Sequence, residues 1–335
     1  MGKEGHVRAD KFRLGYAIHW LALAFIRAYL YFRFEAIRDL GLPADMVLDS
    51  KAMRRLQHYF YGTTFLSIVF GLMHGRRRST TEKYLFSNLA ALSYYFDDLA
   101  DAYRQEDPGE HTWLNNPETY GHRVDARGVS LHLLNNLYRH LPPDSLNEFK
   151  AYLHRVFNVE TAGRQQTDHT LDLEALWVIT REKGGASVLL FRRILHVPMS
   201  ETERDALFAF GGLIQLCDDV SDLWFDHRDG TRTVPLLFAQ QHNLPGLRQF
   251  FDAEVRRVHT LFEAVDKKPS TFWGGPASAW AAVGILVAIA RVCLDEYDHL
   301  QEKNGTLPLH DRRAMVVDME RWPNRLRLIR RLSRG

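Results

Sequence analysis

Two clusters of aspartate lie inside long apolar segments of this chain, and they restrict its fold more than any other feature. The first cluster, DDLAD, occupies residues 97–101, and the second, DDVSDLWFD, occupies residues 218–226. Burying a carboxylate costs several kcal/mol unless it is paired or binds a cation. The two clusters therefore predict a fold that brings both of them to one shared site for divalent cations.

The remaining sequence favours helices. Apolar residues recur with a helical period along most of the 335 residues, and alternating strand patterns are scarce. We expect one all-α domain over residues 1–335, a helical bundle with a central active-site cavity. A helix at about 11–40 would pack on a catalytic core of about 50–302, followed by a basic helix at about 310–333. Within that core the pattern predicts helices at about 50–74, 80–105, 127–140, 144–170, 172–196, 202–227, 233–241, 245–265 and 276–302. Expected N-caps are Thr80, Asp144 and Ser200.

Charge and cysteine content restrict the partners. The formal net charge of +2 gives no nucleic-acid signal. Cys217 and Cys293 match no metal-binding or disulfide spacing, which favours a reducing cytoplasm. The apolar stretches 14–26 and 277–293 are short and end near Arg27 and Arg291. They predict a packed amphipathic helix and a core helix, and no integral membrane span. The sequence is compatible with a homodimer.

On a helix, residues four apart lie on one face. Asp97 and Asp101 therefore share a face with Asp98 beside them. In the second cluster, Asp218, Asp222 and Asp226 share a stripe, with Asp219 adjacent and Gln215 one turn earlier. Ligands that are all carboxylate oxygens favour a hard cation, and Mg²⁺ completes its shell with water and substrate phosphate. A solvated acidic face is the alternative.

These motifs resemble those of the class I isoprenoid synthase superfamily. DDLAD resembles its first motif, DDxxD. Residues 215–222, QLCDDVSD, resemble the second motif of trans-prenyl diphosphate synthases, and Asp218, Asp222 and Asp226 resemble the terpene cyclase triad NDxxSxxxE. The resemblance covers about residues 60–240 and implies an all-α fold with the two motifs on facing helices.

The resemblance also implies roles for single residues. Three Mg²⁺ ions, recruited with the substrate diphosphate, would be held by Asp97, Asp98, Asp101, Asp218, Asp219, Asp222 and Asp226. Terpene cyclases break a helix near paired glycines, four residues after an arginine that senses the diphosphate. Arg181 and Gly185 have that spacing. Lys183 resembles the diphosphate-binding lysine of prenyl synthases. Gln215, Arg232 and Arg104 would contact substrate. Aromatic faces can stabilise a carbocation; the candidates are Phe65, Tyr94, Tyr95, Trp177, Phe208 and Trp224.

Departures from the family motifs favour one branch. Residues 54–62, RRLQHYFYG, lack the segment with which chain-elongating synthases bind isopentenyl diphosphate, and the basic residues that normally follow DDxxD are missing. We therefore expect a magnesium-dependent terpene synthase, a lyase that ionises farnesyl or geranylgeranyl diphosphate. The alternatives are a prenyltransferase that condenses two prenyl diphosphates and a non-catalytic prenyl-lipid-binding relative. Acidic residues dilute the arginine-rich tail from Arg312 to Arg334. We therefore expect a solvated helix or a lid that covers the site, and the alternative is a membrane-surface segment.

Overall fold

A computed structural model describes residues 3–41, 50–106, 112–120, 126–168, 170–265, 275–319 and 321–334. These residues form helices and loops without a strand, which confirms the all-α class. The α-helices are α1 (Lys3–Phe34), α2 (Ala36–Asp39), α3 (Ser50–His74), α4 (Thr80–Glu106), α5 (Thr112–Asn115), α6 (Ala126–His140), α7 (Pro143–Gly163), α8 (Leu173–Arg192), α9 (Glu201–Ser221), α10 (Leu223–Asp229), α11 (Val234–Gln240), α12 (Leu244–Ala264), α13 (Pro276–Asn304), α14 (Arg312–Met315) and α15 (Trp322–Arg334).

Most predicted helices are present, but four long ones are divided. The predicted helix 144–170 is α7 followed by a 3₁₀ turn at Arg164–Thr167. The predicted helix 11–40 is α1 followed by α2. The predicted helix 202–227 changes direction at Asp222, whose φ of −96° and ψ of 12° separate α9 from α10. The predicted helix 310–333 is wrong as a single element, because the chain is extended at Val316 and α15 starts afresh at Trp322. Pro323 fits the first turn of α15, where its missing N–H has no intrahelical partner.

Capping residues explain where two helices begin. The Ser200 side chain accepts a hydrogen bond from the Glu203 N–H at 3.2 Å, which confirms this predicted N-cap. The predicted N-cap at Thr80 is wrong, because Ser79 caps α4 instead. Ser79 Oγ accepts from the Glu82 N–H at 3.1 Å, and Glu82 Oε2 accepts from the Ser79 N–H at 2.7 Å. This reciprocal pair is a capping box. Asp144 is also not a cap, since α7 already begins one residue before it.

Helices α8 and α9 pack together at four glycines. Gly184 and Gly185 of α8 meet Gly211 and Gly212 of α9 so closely that a Cβ on Gly184 would overlap the carbonyl of Gly211. The predicted helix break at Gly184-Gly185 is therefore wrong: α8 is continuous from Leu173 to Arg192. The glycines are there to let two backbones approach, not to interrupt the helix.

A buried polar cluster fixes the far end of this helix pair. Glu203 of α9 accepts hydrogen bonds from Arg192 Nε of α8 at 2.6 Å and lies 2.9 Å from His74 Nε2 of α3. Arg192 also donates to the carbonyls of Val197 and Pro198. Burial opposes ionisation of Glu203, but these partners outweigh it and hold its pKa below the ordinary value. The cluster therefore ties α3, α8 and α9 together.

Helix α13 is the structural centre. It packs against α1, α3, α9, α12 and α15. Among the described residues it is the one helix long and apolar enough to cross a membrane, and 56% of its most apolar window is buried inside the fold. Tyr297, fully buried on α13, donates to the Val220 carbonyl at 2.8 Å and so joins α13 to the second aspartate cluster.

We expect Gly184→Ala and Gly211→Ala each to lower the free energy of unfolding by about 3 kcal/mol, because the new methyl group must displace backbone of the facing helix. Gly284→Ala is the matched control. It replaces a helical glycine with open space around it, and should leave stability unchanged or raise it by up to about 1 kcal/mol. Urea unfolding of the three variants measures this, and equal stabilities would contradict the close α8–α9 contact.

Candidate metal and diphosphate site

The acidic stripe, defined as Asp218, Asp222 and Asp226, runs from the end of α9 onto α10. The bend at Asp222 does not break it, since the Asp222 N–H bonds to the Asp218 carbonyl at 2.8 Å and the Asp226 N–H to the Asp222 carbonyl at 2.9 Å. Asp218 and Asp222 are exposed, and Asp226 is half-buried. The three side chains therefore keep the helical alignment predicted from their spacing.

Asp219 has a different environment. It is only 6% exposed and points between α8 and α9. Its carboxylate accepts a hydrogen bond from Gln215 Nε2 at 2.8 Å and a longer one from Thr180 Oγ1 at 3.4 Å. Gln215, predicted to contact substrate, thus has its amide engaged by Asp219. Sequence reasoning missed Thr180, because its partner is on another helix and no spacing rule connects the two.

Burial raises the pKa of all four aspartates. It is the main cause for Asp222, with a pKa of about 6, and for Asp226, with a pKa of about 8, and neighbouring carboxylates add to both shifts. For Asp219 burial again comes first and outweighs the Gln215 hydrogen bond, giving a pKa of about 7. For Asp218 burial raises the pKa and the charge of Lys183 opposes the rise. A cation bound at the exposed Asp218 and Asp222 would favour their charged forms.

Lys183 and Arg181 are two cationic residues of α8, the helix that packs on α9. The charge of Lys183 lowers the pKa of both Asp218 and Asp219, so its ammonium acts on the second cluster. Lys183 also forms an ion pair with Glu160 of α7 at 3.1 Å. The stem of Arg181 packs on α9, where a Cβ at Gly212 would lie 3.1 Å from Arg181 Cγ. Arg181 Nε is buried and has no hydrogen-bond partner among the described residues.

The loop after α10 folds back on the same region. The Arg232 N–H donates to the Gln166 carbonyl at 2.7 Å, and Gln166 Nε2 donates to the Arg232 carbonyl at 3.1 Å. Thr233 Oγ1 donates to Asp226 Oδ2 at 3.0 Å. These bonds hold the backbone of Arg232, a predicted substrate contact. Arg232 directly precedes Thr233, which is the hydrogen-bond partner of Asp226.

The first aspartate cluster lies near the C-terminal end of α4. The side chains of Asp97, Asp98, Asp101 and Arg104 fall outside the described residues, so their predicted roles stay predictions. Tyr94, one turn earlier, is described: its ring packs on Tyr95 at 4.6 Å and on Tyr59 of α3 at 6.1 Å.

The predicted aromatic residues take part in several ring contacts. Tyr94 and Tyr95 are together, whereas Phe65 of α3 packs on the buried Phe210 of α9, with ring centroids 6.4 Å apart. This contact connects α3 to the helix that carries the second cluster.

The other three aromatic candidates belong to separate contacts. Trp177 packs edge-on against Phe250 of α12 at 5.2 Å. Phe208 lies against Gly185 and under Arg155, whose guanidinium is 5.0 Å from the ring centroid. Trp224 packs edge-on against Phe225, with ring centroids 5.1 Å apart. Helical spacing predicts the face of the helix on which each ring lies, but not the element that packs against that ring.

A basic cavity of about 250 Å³ lies along α3 and is lined by Arg54, Arg55, His58 and Tyr59. Arg55 lies 5.2 Å above the ring of Tyr94, so the cavity adjoins the turn of α4 just before the first aspartate cluster. The predicted central cavity between the two clusters involves side chains outside the described residues.

The donor set fits a hard cation by its chemistry, since the acidic stripe offers carboxylate oxygens and little compensating charge. Geometry alone does not complete a site: in the described parts of the chain, no three histidine, cysteine or carboxylate side chains are grouped to hold a metal ion. Residues four apart on one helix are spread along its axis, so a cation bound by the stripe needs further ligands.

Comparison with protein-family models, with curated proteins and with solved structures finds no match to this chain.

Raising the pH should lower the stability that these carboxyls contribute, and adding magnesium should raise it. The raised carboxyl pKa values mean that the folded chain binds protons more tightly than the unfolded chain. Without magnesium, the contribution of these carboxyls to stability should be largest at and below the ordinary aspartate pKa of 3.8, and should be lost as pH rises from there to about 8. Mg²⁺ competes with those protons, so it should raise the melting temperature more at the upper end of that window.

Thermal melts with Mg²⁺ and with chelator, over that pH range, measure both effects. Asp218→Asn combined with Asp222→Asn should flatten the pH dependence and reduce the response to magnesium. Asp205→Asn, an exposed position on the same helix, is the control and should behave as the wild type. A magnesium effect that is the same in both variants would place the cation elsewhere.

Proposed function

We propose that this protein is a magnesium-dependent terpene synthase that ionises an allylic prenyl diphosphate such as farnesyl or geranylgeranyl diphosphate. The observation that carries the proposal is the group of four carboxylates at the end of α9: Asp218, Asp222 and Asp226 share one stripe, and Asp219 lies beside it. The charge of Lys183 acts on Asp218 and Asp219. A cluster of that charge is suited to ligands that bring several positive charges with them.

Asp218, Asp222 and Asp226 would hold magnesium through oxygen, with the carboxylates of 97–101 as the opposite ligands. Bound magnesium supplies Lewis-acid stabilisation of the charge that develops on the departing diphosphate. Asp219 would have a positioning role: the hydrogen bond that it accepts from Thr180 joins α8 to α9 beside the acidic stripe, and the one from Gln215 orients its carboxylate.

Arg181 and Lys183 would bind the diphosphate oxygens. Guanidinium and ammonium groups suit phosphate, and a buried Arg181 Nε has donor capacity left for an anion. Lys183 would exchange part of its interaction with Glu160 for the substrate. Ionisation leaves a carbocation that water would quench, so the reacting chain must lie in a dry pocket. Tyr94 and Tyr95 lie one turn before the first cluster, a position suited to lining that dry pocket.

The direct test incubates the purified chain with Mg²⁺ and with geranyl, farnesyl or geranylgeranyl diphosphate, each alone. We expect diphosphate release and a hydrocarbon or alcohol, detected by gas chromatography–mass spectrometry. Asp218→Asn should lower the rate by about 100-fold or more, because it removes charge at the ionising centre.

Asp205→Asn is the control on the same helix and should keep full activity. If none of the three substrates releases diphosphate, the lyase proposal fails and the non-catalytic prenyl-lipid-binding alternative is favoured. Binding of the same diphosphates without turnover, measured by calorimetry, would establish that alternative.

One observation favours a second candidate, condensation of two prenyl diphosphates. Condensation requires a second anion site, and the basic cavity on α3 supplies two arginines and a histidine beside the α4 turn that precedes the first cluster. The sequence departs from the chain-elongation segment here, but the types of side chain suit a phosphate group.

Condensation predicts that the chain consumes isopentenyl diphosphate together with an allylic diphosphate. Arg54→Gln combined with Arg55→Gln should then raise the KM for isopentenyl diphosphate by about tenfold, the effect of losing about 1.4 kcal/mol of binding. Arg204→Gln, an exposed arginine on α9, is the matched control. Product from one allylic diphosphate alone, with no isopentenyl diphosphate consumed, would exclude this candidate.

A further inference from the structure

Exposed apolar side chains are concentrated on two helices of the fold. Among the large apolar side chains that the structure describes, every exposed one apart from Val178 lies on α1 or α15. Both helices pack on α13. Single exposed apolar residues are common on protein surfaces, but such a concentration marks a surface that binds something.

Helix α15 has one face fixed to the protein. Arg327 forms an ion pair with Glu296 of α13, and Arg331 forms one with Asp295. Leu328 and Leu332 are half-buried. These contacts settle the orientation of α15, because they take up one side of a short helix along its length.

The outer face of α15 carries an apolar stripe. Trp322, Leu326 and Ile329 follow helical spacing, and they are 69%, 47% and 57% exposed. Arg325 and Arg330, both exposed, flank the stripe on its two sides. The sequence from 321 onwards contains no acidic residue; the acids that dilute the arginine-rich tail, Asp311, Asp318 and Glu320, all precede α15.

This pattern identifies the occupant. Nucleic acid would not require the apolar stripe, and a purely solvated helix would not expose it. Apolar side chains flanked by arginines are the arrangement of a helix that lies in the plane of a lipid surface, with its apolar stripe in the acyl boundary and its cations at the headgroups. A positive face is complementary to the negative potential of anionic lipids.

We propose that α15 docks this protein onto an anionic lipid bilayer surface, with Trp322, Leu326 and Ile329 inserted and Arg325 and Arg330 at the headgroups. The tail is thus a membrane-surface element, not the solvated helix or lid expected from the sequence. The proposal does not depend on the proposed enzymatic activity.

The test is flotation of the full chain with vesicles of phosphatidylcholine alone and of an equimolar mixture of phosphatidylcholine and phosphatidylglycerol. The wild type should float with the mixed vesicles only, and added salt should release it. Leu326→Ser with Ile329→Ser should abolish flotation. Arg325→Gln with Arg330→Gln should weaken partitioning by about fivefold for each charge removed.

Matched controls separate this surface from general stickiness. Val178→Ser removes an exposed apolar side chain elsewhere, and Arg204→Gln removes an exposed arginine elsewhere; both should float as the wild type does. All substituted side chains are exposed, so circular dichroism should show unchanged folding.

Three results would overturn the proposal. One is failure of the wild type to float with the mixed vesicles, or equal flotation with neutral ones. The second is loss of flotation in Ile26→Ser with Leu30→Ser on α1 but not in the α15 variants. The third is a dimer, measured by light scattering, that Leu326→Ser with Ile329→Ser disperses while the wild type does not float; the stripe would then bind a second copy of this chain.

Discussion

The backbone contact between Gly184-Gly185 and Gly211-Gly212 is the constraint on which the candidate site depends. Without Cβ atoms, α8 and α9 approach closely enough for Thr180 to reach Asp219 and for the charge of Lys183 to act on Asp218. At the other end the same two helices are held by Arg192 and Glu203. A helix pair fixed at both ends presents its polar residues at set positions, which is what a site for charged ligands needs.

The cluster at the end of α9 is a source of instability in the isolated chain. Burial raises the pKa of its carboxyls, so near neutral pH the folded protein retains protons that the unfolded chain would release. Hydrogen bonds from the protein reach two of the four: Asp219 accepts from Gln215 and Thr180, and Asp226 accepts from Thr233. Asp218 and Asp222 are the exposed carboxylates to which a cation could bind, as the proposed function requires.

The sequence predicted the helices better than their contacts. Helix α3 has the predicted bounds, because its apolar period is long and uninterrupted. The helix break at Gly184-Gly185 was wrong, since paired glycines look the same whether they open a helix or admit a neighbour. Only the facing pair, Gly211-Gly212, distinguishes the two, and that pairing is a tertiary fact. The ring contacts of the aromatic candidates are tertiary facts as well: a period gives the face of a helix, not its partner.

Helix α3 explains how the parts of the site could act together. Its Tyr59 contacts Tyr94 on α4, just before the first aspartate cluster, and its Phe65 contacts Phe210 on α9, two turns before the second. The basic cavity lies on the same helix. Because α3 is also tied to Glu203 through His74, a shift of α3 would move both aspartate helices. Helix α3, which packs against α4 and α8, therefore links the helix that carries the first cluster to the helix pair α8–α9.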